Sequence, residues 1–309
     1  MAKNNFFDKF WKPYLEYTAD LGFGDEQTRQ EILDLKIESG DYVANIGINW
    51  GTSIKFIFDV CPEVKKVIGI DSSNTMFSLS KAVFSNTEEE LENWYEGLSE
   101  KSIDYLRNLH RSVKQNSNKV YLILCSAKKL HEKKLIFDKI AATMGMHWLE
   151  ETKSEAFLSM NRSLKLDGLI TFSTSSAYYK VQESEKCFYL NPLYQEFFKR
   201  LNQIYNKNSD KPEEKIRKIT LDQVVDTIDQ TGVKLESHRE FRIEILPDQI
   251  DRVILAGIKF RHPMEKNQDA IKQTGIEILQ NLRKEIDYKS HNQKFEICPI
   301  FRIRKIKNY

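Results

Sequence analysis

Residues 43–53, Val-Ala-Asn-Ile-Gly-Ile-Asn-Trp-Gly-Thr-Ser, decide how this 309-residue chain is read. An apolar run ends at Gly47, a short turn follows, and Thr52 to Cys61 continue with helical spacing. The pattern is a strand, a glycine turn and a helix. Gly47 and Gly51 let the chain bend and let a ligand approach the backbone closely. The N–H groups opening the next helix are free to meet an anion. A pyrophosphate-binding turn would carry G-x-G-x-x-G. Here Asn49 stands in place of the second glycine, the third comes one position early, and Trp50 is bulky. A dinucleotide is therefore a poor fit, whereas a ligand with amino and carboxylate groups and no phosphate needs less room.

Working outward, Lys66–Asp71 is a second strand, apolar on both faces as a buried parallel strand should be. It ends in Asp71, an acid placed to accept hydrogen bonds from ribose hydroxyls. The plainer alternative is that Asp71 only caps the helix expected from Asn74 to Phe84. Further strands are expected at 119–127, 137–148, 164–176 (after a turn at Asp167-Gly168), 233–245 and 294–306. Pro299 assigns the last of these to a sheet edge or a bulge, with gatekeeping charges in Arg302-Ile303-Arg304-Lys305. Helices alternate with the strands, which gives an α/β class: a doubly wound, Rossmann-like, mostly parallel seven-stranded sheet with helical cap insertions. The expected organisation is a single domain over 1–309. It has an N-terminal helical cap (1–38), a core (39–176), a cap insertion (177–218) and a C-terminal part of the sheet with its helices (219–309).

Composition excludes several classes. A net charge of +2 supplies no field for nucleic acid or a membrane surface. The four cysteines form no C-x-x-C pair and suit a reducing, cytoplasmic setting. The six histidines form no metal-binding pattern, so no metal is expected. The N-terminal segment lacks the continuous apolar stretch of a signal peptide, and no run is long enough to span a bilayer.

Taken in order, the motifs resemble those of class I S-adenosylmethionine-dependent methyltransferases. "VANIGINWG" is similar to the family's first motif, acid-x-Gly-x-Gly-x-Gly after a strand, and "VIGIDSS" to its acidic second motif. "LILCSAKKL", "FDKIAATMGMHWLEE" and "MNRSLKLDGLITFS" are similar to the segments at the third, fourth and fifth strands. "MHWL" looks most like small-molecule methyltransferases, and "ATMG" stands where enzymes methylating the amino groups of bases or glutamine carry Asn-Pro-Pro-Tyr. Three positions depart from the pattern. Asn45 replaces an acid, Asn49 the middle glycine, and Ser126 a frequent Asp. Asn tolerates the left-handed backbone better than most residues, so the loop reads as modified rather than lost.

The resemblance implies S-adenosyl-L-methionine as cofactor. It would be held by Asn45, Gly47, Asn49 and Gly51 of the loop, Asp71 and Ser72 after the second strand, Ser126 and Ala127 at the adenine, and Thr143 and Met144 past the fourth strand. His147, Tyr178 and Tyr179 are candidates for removing a proton from an acceptor, with a helix cap or core role as the alternative for His147. Trp11, Tyr14, Tyr17 and Tyr194 are candidates for an acceptor pocket, with packing of amphipathic helices as the alternative. The expected partner is a small-molecule acceptor, with no nucleic acid and no membrane; a homodimer stays open. Two other functions share this pattern: a same-fold enzyme using the sulfonium compound without methyl transfer, such as a cyclase, and a non-catalytic binding subunit.

Overall fold

A computed structural model describes residues 6–143, 153–174, 179–182, 186–205, 218–247, 249–261, 268–286 and 295–306. Met144, His147 and Tyr178 lie outside the described residues. The chain opens with α1 (Phe6–Leu21) and α2 (Phe23–Asp34). Next come β1 (Tyr42–Ile46), α3 (Thr52–Val60), β2 (Lys66–Asp71) and α4 (Asn74–Val83). Between α4 and the next strand lie α5 (Glu89–Glu92) and α6 (Glu100–Val113). After them come β3 (Val120–Leu124), β4 (Phe137–Ala142), α7 (Lys153–Arg162) and β5 (Leu164–Ser173). Then follow α8 (Pro192–Tyr205), α9 (Leu221–Asp229), β6 (Val233–Glu244), α10 (Ile250–Arg261), α11 (Gln268–Glu285) and β7 (Phe295–Lys305).

The seven strands form one sheet in the order β3-β2-β1-β4-β5-β7-β6. β3, β2, β1, β4 and β5 pair in parallel, and β7 runs antiparallel to β5. Sequential winding proceeds outward from β1 to β3, then restarts at β4 on the other side of β1. β1 and β4 therefore end side by side, and the crevice beyond their carboxyl ends is where such sheets take ligands. β1 and β2 are buried through most of their length because helices cover both faces. One apolar cluster joins Ile54, Ile57 and Phe58 of α3 to Val43 and Val67 of the sheet and Ile32 and Leu35 beside them. A second joins Trp11 and Leu15 of α1 to Trp50, to Met76 and Leu79 of α4, and to Leu106 and Leu109 of α6.

Two expectations are corrected. The Asp167-Gly168 turn does not precede β5 but lies inside it. β5 already pairs with β4 at Leu164, and a register shift opposite Phe137–Lys139 accommodates Asp167 at φ 62°. β7 is not an edge strand, since it is flanked by β5 and β6. Its pairing with β5 runs from Ile300 to Arg304, so Pro299 falls just outside that ladder. Its arginines serve the neighbouring strand: Arg302 Nε donates to Glu236 Oε2 at 2.7 Å and Arg304 Nη2 to Oε1 at 2.6 Å. Lys305 is buried and donates to the carbonyls of Asn161 and Leu164.

The chain divides into two compact units. The first comprises Met1–Thr174, Thr220–Phe241 and Pro299–Tyr309; the second comprises Ser175–Ile219 and Arg242–Cys298. Within the first, α9 starts with a full capping box, Thr220 with Gln223. Within the second, α11 packs against α8 and α10, and the Tyr194 ring lies 5.4 Å from Phe188 and 4.8 Å from Phe198. Tyr179 is buried there, and Lys180 N–H donates to the Ile219 carbonyl at 2.9 Å.

Candidate functional site

The loop from Gly47 to Gly51 is shaped by its own residue types. Gly47, Asn49 and Gly51 all take the left-handed backbone, at φ 73°, 50° and 109°. Asparagine is the side chain that best tolerates this, which explains how it can stand in the middle of the turn. A β-carbon on Gly51 would come 2.7 Å from the Phe84 ring, so this glycine makes room for packing rather than for a ligand. At Gly47 a β-carbon would meet only the Thr143 carbonyl, at 3.9 Å. Gly47 thus lies on the side open to the crevice and beside the end of β4.

Asp71 fastens the loop to the second strand. Its Oδ2 accepts from Asn49 N–H at 3.3 Å and its Oδ1 from Ser73 N–H at 2.9 Å. Ser73 in turn caps α4 by accepting from Met76 N–H. The capping alternative is thus present in part, with the acid steadying the turn before the helix. Ser72 beside Asp71 is exposed.

A cleft of about 380 Å³, counted with its open mouth, lies beside this loop. Asn49 and Thr143 line it from the sheet side, Thr52 and Ser53 from the start of α3, and Tyr14 and Asp25 from the N-terminal helices. Gly51 is the N-cap of α3 and offers no side chain to the first N–H groups of the helix. Their side chains are engaged elsewhere: Ser53 Oγ donates to Asn45 Oδ1 at 2.7 Å, and Thr52 Oγ1 is 2.8 Å from Tyr105 OH. The first N–H groups of α3 therefore have no side-chain cap. Asn45 is fully buried with Ser53 as its partner and does not line the cleft.

Tyr105 ties the far wall together. Its hydroxyl donates to Asp25 Oδ1 at 2.7 Å and accepts from Trp50 Nε1 at 3.4 Å. Trp50 is buried, with the Tyr14 ring 5.2 Å away. Desolvation first, and then the charge of Asp25, push the Tyr14 hydroxyl up to about 12. Asp25 is itself raised, by its burial. The bulky tryptophan that makes the loop unusual is thus a core residue holding the loop against α1, α4 and α6.

Of the residues singled out from sequence, the structure brings Asn49, Thr143 and Tyr14 together at the cleft and sets Gly47 and Asp71 at its loop. Trp11 lies in the apolar cluster against Trp94 rather than on the cleft wall. Ser126 and Ala127 follow β3, with Ala127 buried at the start of a short 3-10 helix. Tyr17 is half-buried on α1 and is not among the lining residues. Tyr179 and Tyr194 belong to the second compact unit. Asp25, Tyr105 and Thr18 were missed. An acid in the first turn of a helix reads as ordinary dipole compensation, and nothing in a charged insertion marks one tyrosine.

Among the described residues no helix is long and apolar enough to cross a membrane, and no group of three His, Cys, Asp or Glu is placed to hold a metal. No protein-family model and no curated protein matches the chain. Solved structures do. A methyltransferase candidate from Bacillus halodurans C-125 superposes with a TM-score of 0.50 at 12% identity, covering 91% of this chain and 100% of that one. A complex of the Haloferax volcanii Trm112 methyltransferase activator with a methyltransferase candidate gives 0.51 at 10% identity, covering 100% of both chains. With the strand order above, these define the fold as that of class I S-adenosylmethionine-dependent methyltransferases.

Proposed function

We propose that this protein is an S-adenosylmethionine-dependent methyltransferase acting on a small or medium-sized acceptor. The observation that carries this reading is the modified glycine loop. Asn49 takes the left-handed conformation that the family's glycine would take, and its N–H is fastened to Asp71, the acid after the second strand. A degraded loop would have no reason to keep both the backbone shape and the acid in register.

The residues fit the cofactor. The uncapped start of α3 suits the methionyl carboxylate, the space at Gly47 suits close approach of the methionyl chain, and the Asp71 carboxylate at the end of the second strand suits the ribose hydroxyls. Ser126 and Ala127 are the proposed adenine neighbours, and Thr143 and Met144 the proposed neighbours of the amino end. When bound, the cofactor supplies a methyl carbon already activated by its sulfonium. The chain's own work is then to orient the acceptor and keep water out. Tyr14 contributes a wall and no base, because its hydroxyl keeps its proton far above neutrality. His147, Tyr178 and Tyr179 remain the proposed groups for an acceptor that must lose a proton. Near-neutral charge supports a small acceptor over nucleic acid, and a cytoplasmic setting fits the cysteine usage.

Isothermal titration with S-adenosylhomocysteine tests the reading. Saturable binding is expected, and Asp71→Ala should weaken it by about 1.5–3 kcal/mol, the range for hydrogen bonds to a charged group. Absence of binding to the folded wild type would refute it. Formation of S-adenosylhomocysteine rather than methylthioadenosine during turnover would separate methyl transfer from other uses of the cofactor.

A further inference from the structure

We propose that Asp25, from the helix preceding the sheet, is the counter-charge for the ammonium group of the cofactor's amino-acid part, taking over a role that residue 45 cannot fill. The proposal rests on the functional reading above.

Three observations lead to it. First, the loop has lost its own charge. Asn45 is neutral, fully buried, and turned to Ser53, so it presents nothing to the cleft. Second, Asp25 lines that cleft together with Asn49, Ser53 and Thr143. It is held there on one side only: Tyr105 OH donates to Oδ1 at 2.7 Å, and Oδ2 has no protein hydrogen-bond partner among the described residues. The Tyr105 hydroxyl is itself placed by Thr52 and Trp50, so the carboxylate is aimed by a chain of bonds that begins in the cofactor loop. Third, among the described residues no cation forms an ion pair with it. Lys55 acts on Asp25 only through its field, and its ammonium is paired with Asp59. An acid in the first turn of a helix is commonplace and by itself would mean only dipole compensation. An acid that a tyrosine orients into a cleft, with its outer oxygen open and no cation paired with it among the described residues, has a different task.

The chemistry matches a zwitterion. An α-amino acid presents a carboxylate and an ammonium a few bonds apart. The cleft offers uncapped helix N–H groups at Thr52 and Ser53 and, linked to Thr52 through the Tyr105 hydroxyl, the Asp25 carboxylate. Burial raises the Asp25 carboxyl, and an arriving ammonium would favour its charged form.

An ammonium at Asp25 has two sources, the cofactor or an amine acceptor, and a binding experiment separates them. Wild type and Asp25→Asn are titrated calorimetrically with S-adenosylhomocysteine and with 5′-methylthioadenosine, which lacks the amino-acid part. The substitution keeps the side-chain shape and an acceptor for Tyr105. Expected is a loss of about 10- to 100-fold for S-adenosylhomocysteine, the worth of one charged hydrogen bond, with methylthioadenosine changed less than about twofold. Tyr105→Phe, which leaves the charge but not its aim, should lose several-fold for S-adenosylhomocysteine only, and it carries the test if Asp25→Asn does not fold. Equal S-adenosylhomocysteine affinity in wild type and folded variants overturns the assignment while leaving the cofactor reading intact. So does an equal loss for both ligands, which would mark a general distortion of the cleft. If wild type binds neither ligand, the cofactor reading itself falls and the role of Asp25 with it.

Discussion

Glu31 is a carboxylic acid buried in the first compact unit. It sits on α2 with no exposed surface, and among the described residues neither carboxylate oxygen is closed by a well-formed hydrogen bond. Burial pushes its carboxyl up to about 8 from an ordinary 4.5, although Ser173, the Ala142 peptide and Thr171 pull the other way. Between those two values the folded chain holds a proton that the unfolded chain releases. Stability therefore falls as pH rises through that window, by about 1.4 kcal/mol per unit, and levels off above it. Glu31→Gln keeps the shape and cannot ionise. Urea unfolding from about pH 5 to about pH 8 should show the wild-type midpoint declining relative to the variant; parallel curves would mean that Glu31 is ionised or solvated after all. Asn45 Nδ2 and Thr171 Oγ1 are also buried, with no well-formed hydrogen bond among the described residues. Asn45 and Thr171 both pair with Ala141, so the two lie in one row across β1, β4 and β5. Nothing in the sequence marks that row, because each residue alone passes for an ordinary strand position.

At the scale of elements, strand and helix signals were legible where periodicity and punctuation agreed. β1, α3, β2 and α4 fall close to their expected bounds because apolar runs there are bounded by glycine, proline or a capping serine. β7 misled because Pro299 is a local signal, whereas the edge position of a strand depends on which partner lies beyond it. The loop proposed to hold the cofactor was singled out through Gly47, Asn49 and Asp71. Of the cleft's outer wall only Tyr14 was singled out, since Asp25 and Tyr105 join it only through the packing of α1, α2 and α6. α1 itself combines both readings made of its aromatics. Tyr14 lines the cleft, while Trp11 and Leu15 are buried with Trp50 and Met76. α1 is thus anchored through Trp11 and Leu15 in that cluster. Trp11→Ala should cost about 3–5 kcal/mol in chemical denaturation, the range for emptying a buried aromatic site. A cost below about 1 kcal/mol would instead fit a helix that is weakly held in the free protein.

For the whole molecule, the sheet order sets the carboxyl ends of β1 and β4 side by side, and the account stands on the claim that the crevice there holds an S-adenosyl ligand by its amino-acid end. Composition spoke to this scale only by exclusion: a net charge of +2 disfavours nucleic acid and is silent on which small molecule is bound. The fold is shared with proteins only 10% and 12% identical to this chain, so its identity rests in the site and not in the scaffold. A crystal structure of the protein with S-adenosylhomocysteine tests the claim most directly. The account predicts the ligand's carboxylate at the start of α3, its ammonium at Asp25 and its ribose hydroxyls at Asp71. A ligand bound away from the Gly47–Gly51 loop, or with its ammonium clear of Asp25 and its ribose clear of Asp71, would contradict it.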